Sequence, residues 1–327
     1  NELAAECDLI IAVGTRLGDF ASGSRTMINP EAKLVSINVA SFDTVKHYGK
    51  PLVGDAKLTL PKLGEALGSW KPENGWQQAA VVVKKAWDAY VDEATADKKT
   101  LPLTDPEAVG AVNRAAGEED IVVCAAGGLP GELQKLWRTR FSRGYHMEYG
   151  FSCMGYEIAG GLGAKMAKPD SEVYIMVGDG SYLMLNSEIA TSVMLGYKIV
   201  LVVLDNRGYG CIHRLQQFCG GPGFNNLLDD CLTVEEGAPK TDFAAHAKSL
   251  GAASEKVESI QELEAALERA KASPISYVIT LDTDPLKITE EGGFWWDVAV
   301  PEVSPREEVQ KAREFYEKQK AKQFKNL

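Results

Sequence analysis

Apolar residues in this chain fall into short unbroken runs, and segments of helical spacing lie between them. The runs at 8–13 and 33–39, each followed by turn residues, predict buried parallel strands. Leu58, Leu60, Leu63 and Leu67 then recur at helical spacing over 57–68, until Gly68, Pro72, Asn74 and Gly75 break the pattern. That break predicts a domain boundary near residue 70, with a helix over 76–94 and a polar linker over 95–105 behind it. From Pro106 onward, apolar runs at 121–126, 173–178, 199–205 and 276–282 alternate with helical patterns at 154–168, 185–195, 241–250 and 259–272. Such alternation predicts an α/β fold with a doubly wound parallel sheet, whose ligands sit beyond the carboxyl ends of the strands. The tail from Arg306 is charged and helical in pattern, which reads as a solvated helix without a functional role.

Composition narrows the class of ligand. A length of 327 residues suits two domains of roughly 100 to 200 residues each, and 45% hydrophobic with 25% charged residues is a globular balance. A net charge of −11 disfavours nucleic acid and anionic membranes, which need a basic face, and favours a small-molecule substrate. No apolar run approaches the ~20 residues of a membrane span, and no basic flank with an apolar signal segment opens the chain. Cys7, Cys124, Cys153, Cys211, Cys219 and Cys231 form no CxxC pair, so they read as reduced thiols of a cytoplasmic protein. The chain begins with Asn1 and enters a strand pattern almost at once, which reads as a fragment.

The chemistry concentrates at strand ends. The run 173–178 closes on Gly178-Asp179-Gly180, and the next, 199–205, closes on Asp205-Asn206. If these strands are neighbours, a right-handed crossover sets Asp179 and Asn206 side by side at one sheet edge. A carboxylate, an amide oxygen and a backbone carbonyl, for which Gly208 is well placed, suit magnesium and leave positions for water and diphosphate. A second strand end runs into Gly127-Gly128-Leu129-Pro130-Gly131 and a helix, where backbone amides can cradle phosphate oxygens. No GxGxxG turn with an acidic residue about 20 positions on follows an early strand, which sets aside a nicotinamide site.

The spacing from Gly178-Asp179-Gly180 to Asp205-Asn206-Arg207-Gly208-Tyr209-Gly210 resembles the signature of thiamine-diphosphate-dependent enzymes. One departure is Asp205, where most of that superfamily has Asn; the metal ligand is the second of the pair, Asn206. The resemblance places Gly127, Gly128, Leu129, Cys153, Met154, Gly178, Asp179, Gly180, Ser181, Asn206, Gly208 and Tyr209 around thiamine diphosphate. Of these, Asp179, Asn206 and the Gly208 carbonyl would bind Mg2+, and Met154 would wedge between the two cofactor rings.

Within the superfamily, four stretches resemble the trihydroxycyclohexanedione hydrolases of inositol catabolism. They are Val13-Gly14-Thr15-Arg16-Leu17-Gly18-Asp19-Phe20, Glu148-Tyr149-Gly150-Phe151-Ser152-Cys153-Met154-Gly155-Tyr156-Glu157, Gly178-Asp179-Gly180-Ser181-Tyr182-Leu183-Met184 and Trp295-Trp296-Asp297-Val298-Ala299-Val300-Pro301. The implied reaction is hydrolysis of a carbon–carbon bond in a cyclic 1,2-dione, giving a deoxyglucuronate-type acid, with the cofactor as electron sink. Acetolactate synthase shares the architecture and ranks second; a non-catalytic cofactor-binding or assembly subunit is the non-enzymatic alternative. On this resemblance, 1–69 is the second half of a Rossmann-like middle domain, 70–105 a connector, 106–305 the diphosphate-binding domain and 306–327 a helical tail. A glutamate that triggers the cofactor would lie in a separate N-terminal domain, normally across a subunit interface. The isolated chain is therefore expected to bind cofactor weakly, turn over little, and act as a homo-oligomer or with a chain carrying that domain. His213 is the candidate catalytic residue in the loop that also holds Cys211, Arg214 and Gln216; His146, Glu148 and Glu157 read as structural.

Overall fold

The computed structural model describes residues 1–99, 101–148, 150–231 and 239–324. Thr100 of the predicted linker, Tyr149 of one family-like stretch and residues 325–327 of the tail lie outside them. The chain divides into two compact units: residues 1–90 with 219–221 and 290–327, and residues 91–218 with 222–289.

In the smaller unit, β1 (Leu9–Val13), β2 (Lys33–Asn38) and β3 (Lys50–Val53) form a parallel sheet in the order β1-β2-β3. Ala12, Ile28, Ala32, Leu34 and Phe324 form its buried cluster. Near residue 70, where a boundary is expected, the chain breaks between the helices Ala56–Leu67 and Asn74–Ala94, and this compact unit runs on to Tyr90. The tail departs from its predicted solvated role. Its helix Glu307–Lys320 buries Val309 and Tyr316, and Phe324 beyond it is 1% exposed. Tyr316 packs edge-on against Trp296, whose indole N–H donates to the Gly23 carbonyl at 3.1 Å. Charged residues on one face conceal a narrow apolar stripe on the other. Two of the family-like stretches meet here, with the rings of Phe20 and Trp295 5.1 Å apart.

The larger unit is built on six parallel strands: β4 (Ile121–Cys124), β5 (Tyr145–Met147), β6 (Val173–Gly178), β7 (Val200–Asp205), β8 (Ala253–Lys256) and β9 (Tyr277–Asp282). Their order is β5-β4-β6-β7-β9-β8. Central strands β4, β6 and β7 are buried on both faces, as unbroken apolar runs require. The chain leaves β4 for β5 on one side and returns to β6 on the other, so a topological switch point lies between β4 and β6. Helices Tyr156–Ala167 and Ile260–Ala272 match their predicted spans closely. The pattern at 185–195 corresponds to the helix Glu188–Leu195, and a short helix outside the predicted spans, Asp179–Met184, precedes it. Among the described residues no helix is long and apolar enough to cross a membrane.

Candidate cofactor and metal site

Strands β6 and β7 are hydrogen-bonded neighbours with Gly178 opposite Leu204, so the residues that follow each leave the sheet at the same edge. Asp179 opens its short helix at 4% exposure. Burial pushes its carboxyl up to about 7, the neighbouring Asp205 adds to this, and the backbone amides of Gly180, Gly208 and Asn206 oppose it. Among the described residues, the groups that hold this charge are thus backbone amides rather than basic side chains.

The amide oxygen of Asn206 lies 2.8 Å from the Gly208 carbonyl oxygen and 3.3 Å from Oδ1 of Asp179. Three oxygens therefore converge on one point. In a metal-free chain the amide can turn over so that its nitrogen donates to the other two; a cation would be met by the orientation with the oxygen inward. The spacing fits a small hard cation, because oxygens about 2.1 Å from magnesium and at right angles sit roughly 3 Å apart. Among the described residues no group of three or more His, Cys, Asp and Glu side chains is arranged for a metal. A cation here thus depends on amide and carbonyl oxygens, and leaves sites for an anionic ligand.

The metal loop is held from outside. Gly208 has a φ of +144°, a region open to glycine, and a Cβ there would lie 2.9 Å from the Leu227 Cα. Tyr209 N–H donates to the Asn226 carbonyl at 2.7 Å and Leu228 N–H to the Arg207 carbonyl at 2.8 Å, making 226–228 a strap across the loop. Arg207 reinforces it through both guanidinium contacts to Asp229, at 3.2 and 2.9 Å. Asp205, the departure from the superfamily pattern, accepts the Arg207 N–H at 2.8 Å and so shapes the turn. The Tyr209 ring covers Gly180, where an added Cβ would lie 2.7 Å from the ring.

Beyond β4, Gly127 precedes the helix Gly128–Leu136 with a φ of +109°. This puts the helix N-terminus and its free amides at the switch point, beside the Asp179 turn. Leu129 is buried at 6%, so the ligand-facing part of this segment is backbone. The helix Gly210–Phe218 presents Arg214 and Cys211 to Gly128, and Arg214 also donates to the Pro285 carbonyl. His213 points elsewhere: it is 5% exposed, with Nδ1 3.2 Å from the Asp230 carboxylate, and its ring abuts Gly223 of the strap region.

Met154 is half-buried just before Gly155, the residue that caps the helix Tyr156–Ala167. Upstream, the Glu148 carboxylate accepts from Phe151 N–H at 2.9 Å and Cys153 N–H at 2.8 Å, bonds that hold its pKa below the usual range. His146 meets the Tyr156 hydroxyl at 2.6 Å. Both shape the approach to Met154, as structural residues do. The Asn226–Asp230 strap, the position of Arg214 and the extent of the Glu157 contacts are not anticipated by the sequence. Only Glu157 left a signal, an acidic residue opening an otherwise small and apolar helix.

Comparison with known proteins adds independent information. Residues 125–281 match the C-terminal TPP binding domain of thiamine pyrophosphate enzymes, and residues 1–63 match the central domain of the same enzymes. A 3D-(3,5/4)-trihydroxycyclohexane-1,2-dione hydrolase of Halalkalibacterium halodurans is 37% identical across 99% of this chain and 55% of its own length. Proteins of the same name from Bacillus subtilis and Geobacillus thermodenitrificans are 37% and 39% identical, over 99% and 95% of this chain. They are covered over 54% and 53% of their own lengths, so the chain spans about half the length of the curated relatives it matches.

Proposed function

Because the chain belongs to the thiamine pyrophosphate enzyme family, we propose that its larger unit binds thiamine diphosphate through Mg2+ held by Asp179, Asn206 and the Gly208 carbonyl. The activity it serves is hydrolysis of a carbon–carbon bond in trihydroxycyclohexanedione, yielding 5-deoxy-glucuronate in inositol breakdown. The observation that carries the cofactor reading is the convergence of three oxygens at the ends of adjacent strands β6 and β7. The names of the relatives support the substrate.

When bound, the cofactor supplies an electron sink for carbon–carbon cleavage. The chain's own residues bind and orient it. Asp179 and Asn206 anchor the metal, the amides at Gly127 and Gly128 receive diphosphate oxygens at a helix N-terminus, and Met154 supplies an apolar support. His213 is the candidate proton carrier by residue type; its buried ring stands against the strap region, with Nδ1 3.2 Å from the Asp230 carboxylate. The residue that activates the cofactor is assigned to the portion of the relatives that this chain does not span, and the assembly is read as a homo-oligomer or an association with a chain carrying that portion. The setting is cytoplasmic.

The test is to mix the chain with the N-terminal half of a curated relative, add thiamine diphosphate, Mg2+ and trihydroxycyclohexanedione, and follow 5-deoxy-glucuronate by mass spectrometry. Product from the mixture and little or none from either part is expected. A mixture that instead condenses pyruvate to acetolactate contradicts the substrate assignment.

A further inference from the structure

We infer that Glu157 is a positioning residue of the cofactor site, its buried carboxylate tying the turn behind Met154 to the Asp179 turn so that wedge and metal ligand keep a fixed relation. The inference rests on the cofactor reading above. Glu157 is 1% exposed and is the second residue of its helix. Its Oε2 accepts the Gly155 N–H at 2.9 Å, and its Oε1 accepts the Ser181 hydroxyl at 2.8 Å. Ser181 closes the triangle, since its own oxygen also accepts from the Gly155 N–H at 2.9 Å. Gly155 follows Met154 directly, and Ser181 lies two residues beyond Asp179. The backbone at Ala126, just before the Gly127 turn, also stabilises the carboxylate. Three segments from the ends of β4 and β6 and the start of one helix thus share a single buried acid.

A buried carboxylate without a basic partner is costly, and burial is the main reason its pKa is raised. For holding the fold alone, an amide or an apolar residue would serve as well. An acid is required where both oxygens must accept. The Gly155 N–H is a fixed donor and the Ser181 hydrogen also points at residue 157, so an amide there either turns its N–H onto Gly155 or makes the hydroxyl rotate to accept, which leaves the Ser181 hydrogen without its acceptor. Glu157→Gln is therefore nearly isosteric yet breaks the triangle, and Ser181→Ala breaks it from the other side.

Hydrogen exchange and thiamine diphosphate titration in saturating Mg2+ test the inference on the wild-type chain, Glu157→Gln, Ser181→Ala, the double variant and Asp179→Ala. Expected for either single variant is about tenfold faster exchange in 125–131, 153–158 and 179–184 together, with 253–272 unchanged. Cofactor Kd should rise about tenfold, and the double variant should be no worse than the singles, because all act through one link. Exchange that stays at the wild-type rate in those three segments overturns the inference, whether or not the chain binds cofactor. So does wild-type cofactor affinity in both single variants. If Glu157→Gln does not fold, Ser181→Ala decides the matter. Asp179→Ala separates the two readings: wild-type binding by that variant defeats the cofactor reading, whereas loss there with normal binding by Glu157→Gln defeats only the Glu157 link.

Discussion

The side-chain amide of Asn206 stands 3.3 Å from the carboxylate of Asp179, although the two belong to different strand ends. Their proximity follows from the parallel register of β6 and β7, which brings Gly178 level with Leu204 and releases both chains at one edge. The relation is set by the sheet rather than by loops, which is how a metal site gains precise spacing.

The strap geometry makes Gly208 sensitive. Gly208→Ala puts a Cβ against the backbone of Leu227 at a φ of +144°, so the loop must shift. Strain of about 1–3 kcal/mol is expected. Magnesium-dependent cofactor affinity should fall at least tenfold while the circular dichroism of the folded chain is kept. Unchanged affinity would remove the Gly208 carbonyl from the metal site.

His213 offers a clean kinetic distinction in the reconstituted enzyme. His213→Gln should lower kcat about a hundredfold, a usual size for a proton carrier, with cofactor Kd within threefold of wild type. A rise in Kd with kcat preserved would instead assign the residue to the strap, through its 3.2 Å contact with Asp230.

Asp105 opens the helix Asp105–Ala115, and burial pushes its carboxyl up to about 6 from an ordinary 3.8. A folded pKa above the unfolded one means that the folded state holds the proton more tightly. Its stabilising contribution is complete below about pH 4 and is lost as pH rises through about 6. The difference is on the order of 2–3 kcal/mol. Urea denaturation from pH 4 to 7 should show this loss in the wild type relative to Asp105→Asn. Parallel curves for the two proteins would show that Asp105 titrates normally.

In the smaller unit, Phe324 is 1% exposed and its N–H donates to the Arg25 carbonyl at 2.8 Å. Phe324→Ala should cost about 3–5 kcal/mol, the usual range for truncating a buried aromatic. Thermal unfolding would read this as a lower midpoint for the transition of that unit. An unchanged midpoint would return the tail to the solvated role that its charge suggests.

What the sequence revealed depended on where each signal was local. The apolar runs of β4, β6, β7 and β9 are buried in the sheet and stand out from their surroundings, so the carboxyl ends and the Asp179 and Asn206 pairing could be placed. Edge strands β5 and β8 are three and four residues long, and β8 reads Ala-Ser-Glu-Lys, which carries no apolar alternation. The tail misled because a narrow stripe of Val309, Tyr316 and Phe324 is outnumbered by charges. The role of Glu157 is not legible in the sequence because its partner Ser181 comes from another segment, and contacts across segments leave no periodic trace. The position of Arg214 beside Gly128 is hidden for the same reason.

The most direct test of the metal bridge is calorimetric titration of thiamine diphosphate into the folded chain, with and without Mg2+, repeated with Asp179→Ala and in the presence of the N-terminal half of a relative. Binding should require Mg2+, disappear in Asp179→Ala, and tighten when the second half is added. Binding of equal strength without the metal, or by Asp179→Ala, or none by the combined halves, would contradict the bridge.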